Sequence, residues 1–243
     1  MIKKTEYADV LAPFCKTVFG CRIQSTAAAY GVNEPFAQFW TQEDKAALCK
    51  LDDVLILDAD GADFDELKDF IAMTGASRLL CDLNVAQNLG LPVAAKGEVM
   101  LYRNDQPMKP PTIFEKNPSL REVHALLAAC ASNTFVPPEF EPFYMDMSHR
   151  IRHNTAEAVG VRQGETLVSC AICSAQTADS AVLSSVAVSP DYRRKGFGYA
   201  VLKALISELP QKNIYIFRAQ NENAEFYRGF GFSPSGGFAE LTI

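Results

Sequence analysis

Residues 183–205 are the part of the sequence that most narrowly restricts the fold. They begin as an apolar run typical of a strand, break at Pro190, pass through a basic turn with two glycines, and continue as an Ala- and Leu-rich stretch typical of a helix. Gly196 and Gly198 carry no Cβ atom, so the N–H groups of the turn can approach an anion closely. The helix adds unpaired N–H donors and the positive end of its dipole. The sequence therefore predicts a phosphate-binding turn between a strand and a helix.

The order of residues within this segment is distinctive. A Val-x-Val run at 186–188 is followed by Pro190, Tyr192 and the pattern Arg-x-x-Gly-x-Gly at 193–198. This order resembles the acetyl-CoA-binding signature of the GNAT superfamily of N-acyltransferases. The resemblance covers about residues 112–243. It implies an α/β (α+β) fold in which helices flank a mixed, mostly antiparallel central sheet, with acetyl-CoA as co-substrate and no metal.

The resemblance also assigns donor-binding roles to this segment. In the family, free backbone groups of the strand bind the pantetheine and polarise the thioester, a role that falls here on Val186, Ala187 and Val188. The amides of the family's turn hold the CoA pyrophosphate. The corresponding residues here are Arg193, Arg194, Lys195, Gly196, Phe197, Gly198 and Tyr199. The adjacent cations would add long-range attraction for the phosphates.

A second motif lies near the C-terminus, where residues 225–232 read EFYRGFGF. This resembles the family's Phe-Tyr-x-x-x-Gly-Phe element, in which the tyrosine often protonates the departing thiolate, so Tyr227 is the candidate general acid. The alternative is that Tyr227 only packs with Phe226 and Phe230. The family's asparagine before this helix corresponds to Asn221 or Asn223, and we assign Asn223 and Phe226 to the cofactor site.

Two other interpretations of the glycine turn remain. A dinucleotide-binding fingerprint would require a third glycine where Val201 stands, and a preceding βαβ unit instead of the antiparallel meander that the sequence predicts. A purely structural connection between strand and helix is the other, since short glycine turns are common. It gives no reason for three adjacent cations.

A general base is harder to identify from the sequence. Family members often carry a carboxylate on the strand before the turn, but residues 181–188 contain none. Glu157, Glu141 and Asp146 are candidates, although each could be a surface acid. We therefore expect an N-acetyltransferase that acts on the amine of a small molecule. The alternatives are a non-catalytic CoA-binding or scaffold protein and an acetyltransferase that acts on a protein amine.

Charge and cysteine content exclude several other classes. Lys and Arg number 23 against 29 Asp and Glu, which argues against a nucleic-acid partner. No apolar run is long enough to span a membrane, and residues 1–10 lack the apolar core of a secretion signal, so we expect a cytoplasmic protein with no membrane partner.

The seven scattered cysteines suggest reduced thiols. Neither the Cys170-x-x-Cys173 pair nor the pair His149 and His153 has the further ligands that a metal site needs. A homodimer is one option for the oligomeric state.

The chain shows signs of a tandem organisation. Residues 104–118 contain four prolines and indicate a stiff linker, which places a boundary near Pro107 between domains at 1–106 and 107–243. Both halves have the order strand, helix, strand, short helix and strand, at 53–102 and at 182–243. We therefore predict two GNAT-like copies, the first degenerate because Asp63, Asp65 and Glu66 would repel phosphates. The alternative is two α/β halves without shared ancestry.

The periodicity of apolar residues predicts the individual elements. In the first half these are helices at 6–19, 63–73 and 85–89 and strands at 21–30, 36–41, 46–50, 53–58, 78–82 and 93–102. In the second half they are helices at 120–130, 139–152, 198–209 and 224–228 and strands at 156–162, 167–174, 181–188, 213–217 and 238–243. We expect Gly20 to end the first helix, and Ser119 with Glu122 to form a capping box.

Overall fold

The structure is a computed structural model that describes residues 1–14, 16–106, 108–111, 113–132, 135–210, 213–219 and 222–243. Pro107, where the sequence places a domain boundary, lies outside the described residues. By its internal contacts the chain divides into two units, one of Met1–Leu101 with Tyr215–Ile243 and one of Tyr102–Ile214. The C-terminal segment is thus grouped with the N-terminal half, and a boundary between two tandem copies near residue 107 stays a prediction.

The N-terminal segment begins with a short strand and a 3-10 helix at Ala8–Phe14. Its helices are α1 (Val18–Tyr30), α2 (Phe64–Met73) and α3 (Leu83–Leu89). Its strands are β1 (Ile2–Lys4), β2 (Ala37–Gln42), β3 (Ala46–Leu51), β4 (Val54–Ala59), β5 (Arg78–Asp82) and β6 (Val93–Arg103). From β2 onward these elements agree with the predicted order to within a few residues.

The first 30 residues correct two predictions. The helix predicted at 6–19 and the strand predicted at 21–30 are wrong, because α1 runs through Gly20 and occupies the second segment. Thr17 starts α1 by accepting a hydrogen bond from the Gly20 N–H at 2.9 Å. A Cβ atom on Gly20 would lie 1.4 Å from the carbonyl oxygen of Phe14 and 2.8 Å from Oδ2 of Asp58. This glycine therefore permits close packing inside a helix and does not end one.

The remaining elements include all the predicted ones in order, together with a short strand inside the predicted linker and a 3-10 turn that the sequence did not predict. They are β7 (Glu115–Lys116), α4 (Leu120–Ala129), α5 (Phe140–Arg152), β8 (Glu157–Gln163), β9 (Thr166–Gln176), β10 (Ser180–Val188), a 3-10 turn at Pro190–Tyr192, α6 (Phe197–Glu208), β11 (Asn213–Ala219), α7 (Ala224–Phe230) and β12 (Ser233–Thr242). The last strand begins five residues earlier than predicted, at Ser233 instead of 238. None of the helices in the described part of the chain is long and apolar enough to cross a membrane.

The capping box predicted at the start of α4 does not form. Within the described residues, Ser119 makes no side-chain hydrogen bond to α4. Glu122 instead accepts two hydrogen bonds from the Arg162 guanidinium, at 2.9 and 2.8 Å. This bidentate pair joins the start of α4 to β8, since a guanidinium matches the shape of a carboxylate better than one backbone N–H does.

The sheet of the first unit has the strand order β1, β2, β3, β4, β5, β12, β6. Neighbours are antiparallel except β4 and β5, which run parallel over residues 54–56 and 78–80. The C-terminal strand β12 is hydrogen-bonded to both β5 and β6, so that Phe238 pairs with Asp82 on one side and Gly97 on the other. The apolar core lies between this sheet and helices α2 and α3.

The sheet of the second unit has the antiparallel order β10, β9, β8, β7. Consecutive residues of β9 are buried, and because side chains alternate along a strand, both faces of this sheet are covered. Helices α4 and α5 pack on one face, where Val123, Leu127 and Met147 meet Ala158 and Ile172. Helix α6 packs against the same strands. The predicted mixed, mostly antiparallel sheet architecture with flanking helices is confirmed.

Candidate functional site

The strand β10 is irregular just before the glycine turn. Its register against β9 shifts between Val182 and Leu183, and again between Leu183 and Ser185, so Ser184 has no opposite residue in the ladder. Residues 186–188 then pair regularly with residues 169–171. A bulge of this kind bends a strand and redirects its side chains. The predicted pantetheine strand, Val186, Ala187 and Val188, therefore follows directly on a bulge.

The turn after β10 is built from local backbone bonds and left-handed residues. The Tyr192 N–H donates to the Ser189 carbonyl at 2.9 Å. Arg194 and Gly196 have φ angles of 61° and 85°. A Cβ atom on Gly196 would meet nothing within 4 Å, so conformation and not space requires glycine at this position.

The basic side chains of the turn hold the turn itself. Arg193 Nε donates to the carbonyl oxygen of Val188 at 3.2 Å, and Lys195 Nζ donates to the carbonyl oxygen of Asp191 at 2.8 Å. The Lys195 ammonium also lies 5.1 Å from the ring centre of Tyr192, within cation–π range. Each of these bonds uses one of several N–H donors, and both side chains are exposed. The positive charge of the turn therefore remains accessible.

A residue that the sequence did not single out also contacts this turn. Cys130 Sγ donates a weak hydrogen bond to the Val188 carbonyl oxygen at 3.3 Å. The same oxygen accepts from Arg193, so the end of β10 is bound both to the end of α4 and to the turn. A cysteine at the end of a helix gives no sequence signal for such a role.

The start of α6 differs from the corresponding start of α2 in the first unit. Gly196 precedes α6, and no side chain in the described part of the chain caps that helix. Asp63, by contrast, caps α2 by accepting the Glu66 N–H at 3.1 Å, and Glu66 accepts the Ile2 N–H at 2.8 Å. The carboxylates offset the positive end of the α2 dipole, while that of α6 is left open to an anion.

The second motif lies in the first unit, on α7. Tyr227 is 8% exposed, and its ring packs edge-on against Phe226 and Phe232 at 5.0 and 5.6 Å between centroids. Burial raises the pKa of its hydroxyl to about 12. Asn223 adopts a left-handed conformation with φ 52° before α7, and its carbonyl oxygen accepts the Tyr227 N–H at 3.2 Å. Asn221, the other asparagine considered, lies outside the described residues. The packing alternative for Tyr227 therefore has contacts that support it.

The three carboxylates considered as bases have different surroundings. Glu157 is buried, which raises its pKa, and its Oε1 lies 3.2 Å from the Lys116 ammonium, which opposes that rise. Glu141 is exposed on α5. Asp146 accepts a hydrogen bond at 2.7 Å from Nε of Arg150, a residue only 5% exposed. Asp146 also lines a cleft.

This cleft has a volume of about 370 Å³ and lies within the second unit. Its polar lining consists of Asp146 from α5, Ser174 from β9, and Ser184 and Ser185 from the bulge of β10. Its other walls are apolar side chains, mainly from α4 and α5. The cleft therefore reaches the same bulge that precedes the candidate donor strand. The serines carry no motif, and only the register shift between β9 and β10 marks their position.

The patterns weighed as metal sites have other partners. Cys170 belongs to the apolar core beneath α4 and α5, and Cys173 Sγ donates to the Ala175 carbonyl oxygen at 3.3 Å. His149 and His153 stack at 4.1 Å between ring centroids. Among the described residues, no group of three or more His, Cys, Asp or Glu side chains could hold a metal ion. The six described cysteines are free thiols, and Cys15 lies outside the described residues.

Comparison with known proteins decides the family of the domain that carries the turn. Residues 120–232 match the family model of the acetyltransferase (GNAT) family. These residues form a GNAT acetyltransferase domain. The predicted resemblance is therefore confirmed, and the GNAT domain supports an acyltransferase that takes its acyl group from an acyl-CoA. No curated protein sequence matches the chain.

Solved structures extend the fold comparison beyond the GNAT domain. A Drosophila protein from a structural genomics consortium superposes with a TM-score of 0.66 at 14% identity, covering 100% of this chain and 98% of that one. A tandem GNAT protein from the clavulanic acid biosynthesis pathway gives 0.61 at 11% identity, with the same coverages. A GCN5-related N-acetyltransferase from Sphaerobacter thermophilus gives 0.58 at 15% identity, covering 99% and 94%. The predicted fold of two tandem GNAT-like domains is confirmed.

Proposed function

We propose that this protein transfers the acetyl group of acetyl-CoA to an amine of a small molecule. The observation that carries the proposal is the turn between β10 and α6, within the GNAT domain. Its left-handed Gly196 and the uncapped helix start leave N–H donors and positive charge accessible to a pyrophosphate. The acid-capped start of α2 offers no such site, which supports one donor site per chain.

The proposed donor site has three parts. Val186, Ala187 and Val188 would bind the pantetheine through their backbone groups. The phosphates would be held by the turn, that is, by Arg193, Arg194, Lys195, Gly196, Phe197, Gly198 and Tyr199. Asn223 and Phe226 would complete the site. The bulge in β10 supports the first part, since it lies directly before these residues and bends the strand at that point.

The chemistry assigned to the chain is limited to positioning and proton transfer. When bound, acetyl-CoA supplies an acyl thioester. Backbone N–H groups of residues 186–188 would polarise its carbonyl, so that an amine nitrogen can form the new C–N bond as the C–S bond breaks. Tyr227 would donate its hydroxyl proton to the departing sulfur and regain one from solvent, while the amine loses a proton to water. A pKa of about 12 keeps Tyr227 protonated throughout the neutral pH range.

A non-catalytic CoA-binding or scaffold protein is the second candidate. It is favoured by the sequence of β10, SAVLSSVAV, which carries no carboxylate to act as a base. Glu157 on the neighbouring strand β8 is engaged by Lys116. An acetyltransferase that acts on a protein amine is the third, since the turn determines the donor and not the acceptor.

Thiol release from acetyl-CoA across a panel of amines and peptides tests these candidates. We expect small amines to stimulate release by the wild type, and Tyr227→Phe to lower kcat about 100-fold while the affinity for CoA is unchanged. Stimulation by peptides alone would favour a protein acceptor. CoA binding without stimulation by any acceptor would favour the binding protein and overturn the proposed reaction.

The proposal also covers the setting of the reaction. We place it in the cytoplasm, where reducing conditions would keep the six described cysteines, none of which forms a disulfide with another, as thiols. The division into tandem copies at 1–106 and 107–243 and a homodimeric state belong to the same proposal. Size-exclusion chromatography with light scattering measures the latter directly.

A further inference from the structure

The cleft between α5 and the bulge of β10 has the chemistry of a site for one type of amine. We propose that it binds a small primary amine with an apolar body, and that Asp146 receives the ammonium group. This inference rests on the proposed function, because it names the acceptor class for the same reaction. It concerns residues of the second unit alone.

The apolar walls determine the body of the ligand. They are formed by Leu127, Pro138, Pro142, Phe143, Met147 and Ile172. Burying an apolar group against such walls is favourable, whereas hydroxyl or amino groups there would lose their water without gaining partners. Amino sugars and polyamines carry several such groups. The lining therefore favours an amine with a single charged end and an aromatic or aliphatic remainder.

The polar lining determines the charged end. Among the described residues that line the cleft, Asp146 alone has an ionisable side chain, and this side chain is 41% exposed, so a ligand can reach it. Arg150 donates to Oδ1 of Asp146 and holds the carboxylate in a fixed orientation. A carboxylate offers about four acceptor sites on two oxygens, so it can serve more than one cation.

The serines supply further acceptors for an ammonium group. Ser174 Oγ lies 3.4 Å from the Val182 carbonyl oxygen as a donor, and a hydroxyl that donates can still accept. Ser184 and Ser185 add two hydroxyls at the bulge. An ammonium has three N–H donors, and this lining provides a carboxylate and hydroxyls within an otherwise apolar cleft. The volume of about 370 Å³ is at the lower end of the range for small-molecule sites.

The first measurement is equilibrium binding of 2-phenylethylamine to the protein saturated with CoA. The neutral alcohol 2-phenylethanol, of equal size, is the reference ligand. We expect the amine to bind about tenfold more tightly than the alcohol, which is the ordinary contribution of one charged hydrogen bond. Spermidine and glucosamine should bind more weakly than 2-phenylethylamine. Equal affinity for the amine and the alcohol would overturn the inference, with no variant required.

The second measurement compares two isosteric variants of α5. Asp146→Asn removes the charge but keeps an oxygen that can accept the Arg150 bond, so the local structure should persist. Glu141→Gln makes the same charge change at an exposed position outside the cleft. Only Asp146→Asn should abolish the preference for the amine, raise KM for amines about tenfold, and leave CoA affinity unchanged.

The two proposals fail in different ways. Preferential amine binding that Asp146→Asn abolishes, in a protein that transfers no acetyl group, would support this site and refute the proposed reaction. Acetyl transfer to amines with the same KM in Asp146→Asn and wild type would support the reaction and refute this site. Equal effects of the two variants would also refute it, because they would reflect the net charge of the helix.

Discussion

A pair of substitutions at Gly196 separates the conformational role of this residue from its role beside the phosphates. Its φ of 85° disfavours any residue with a Cβ atom, although that atom would meet nothing within 4 Å. Gly196→Ala and Gly196→Asp should therefore both fold, and each should lose about 1–2 kcal/mol of stability, Asp slightly less. For a chain of this length that corresponds to a fall in Tm of about 2–8 °C.

Of the two variants, only Gly196→Asp should strongly weaken the binding of CoA. At a separation of about 6 Å and an effective dielectric constant of about 40, one added charge costs about 1.4 kcal/mol against each phosphate charge. With about two charges on a pyrophosphate, the affinity for CoA should fall about 100-fold in Gly196→Asp and about tenfold at most in Gly196→Ala. Raising the salt concentration to about 1 M should narrow the difference between the variants, because salt screens exposed charges.

Isothermal titration with CoA measures the affinities, and thermal unfolding without ligand measures the stability. Equal loss of affinity in both variants would refute the electrostatic reasoning, since only one of them adds charge. Unchanged affinity for CoA in both variants would refute the assignment of this turn to CoA binding, even though the domain belongs to the GNAT family. A difference that persists at high salt would point to a steric cause.

Two further predictions concern the first unit. Burial, with smaller contributions from Asp82 and Asp60, raises the Asp58 pKa from 3.8 to about 6. Between these two pKa values the folded state binds more protons than the unfolded state, so the free energy of unfolding falls as the pH rises from about 4 to about 6. A pKa difference of about 2 units, at 1.36 kcal/mol per unit, makes this fall about 3 kcal/mol. Asp58→Asn should raise Tm at pH 7.5 and change it little at pH 4, and equal shifts at both would contradict this. Because acidic residues cap the start of α2, we expect calorimetric titration to give one bound CoA per chain. A second CoA site that Gly196→Asp still retains would disprove this.

The sequence predicted most of the chain from β2 onward, because its strands and helices carry periodic apolar faces and are bounded by glycines, prolines and acids. It failed at Gly20. A glycine in an apolar pattern more often ends a helix, but here it admits the carbonyl oxygen of Phe14 and the carboxylate of Asp58. Both contacts come from outside the helix, and a pattern of local residue types does not contain them.

The same distinction holds for the candidate site. The turn at 189–198 was predictable, since glycine conformation and helix dipoles are local properties. The Cys130 bond to Val188 and the cleft lined by Ser174 and Ser184 depend on how α4, α5 and the bulge of β10 come together. The capping box predicted at Ser119 failed for the same reason: the sequence has the required Ser-x-x-Glu pattern, but Arg162 from β8 supplies a stronger partner for Glu122.

The two strand-to-helix connections show how similar backbones can differ in ligand chemistry. After β4, the Asp63 carboxylate accepts an N–H group that a phosphate would use, and the charges of Asp63 and Glu66 offset the positive potential at the start of α2. After β10, Gly196 replaces the capping acid, and Arg193 and Lys195 bond to carbonyl oxygens of the turn. The second connection is thus held by its own hydrogen bonds and still carries positive charge, so a phosphate would meet donors that need little rearrangement.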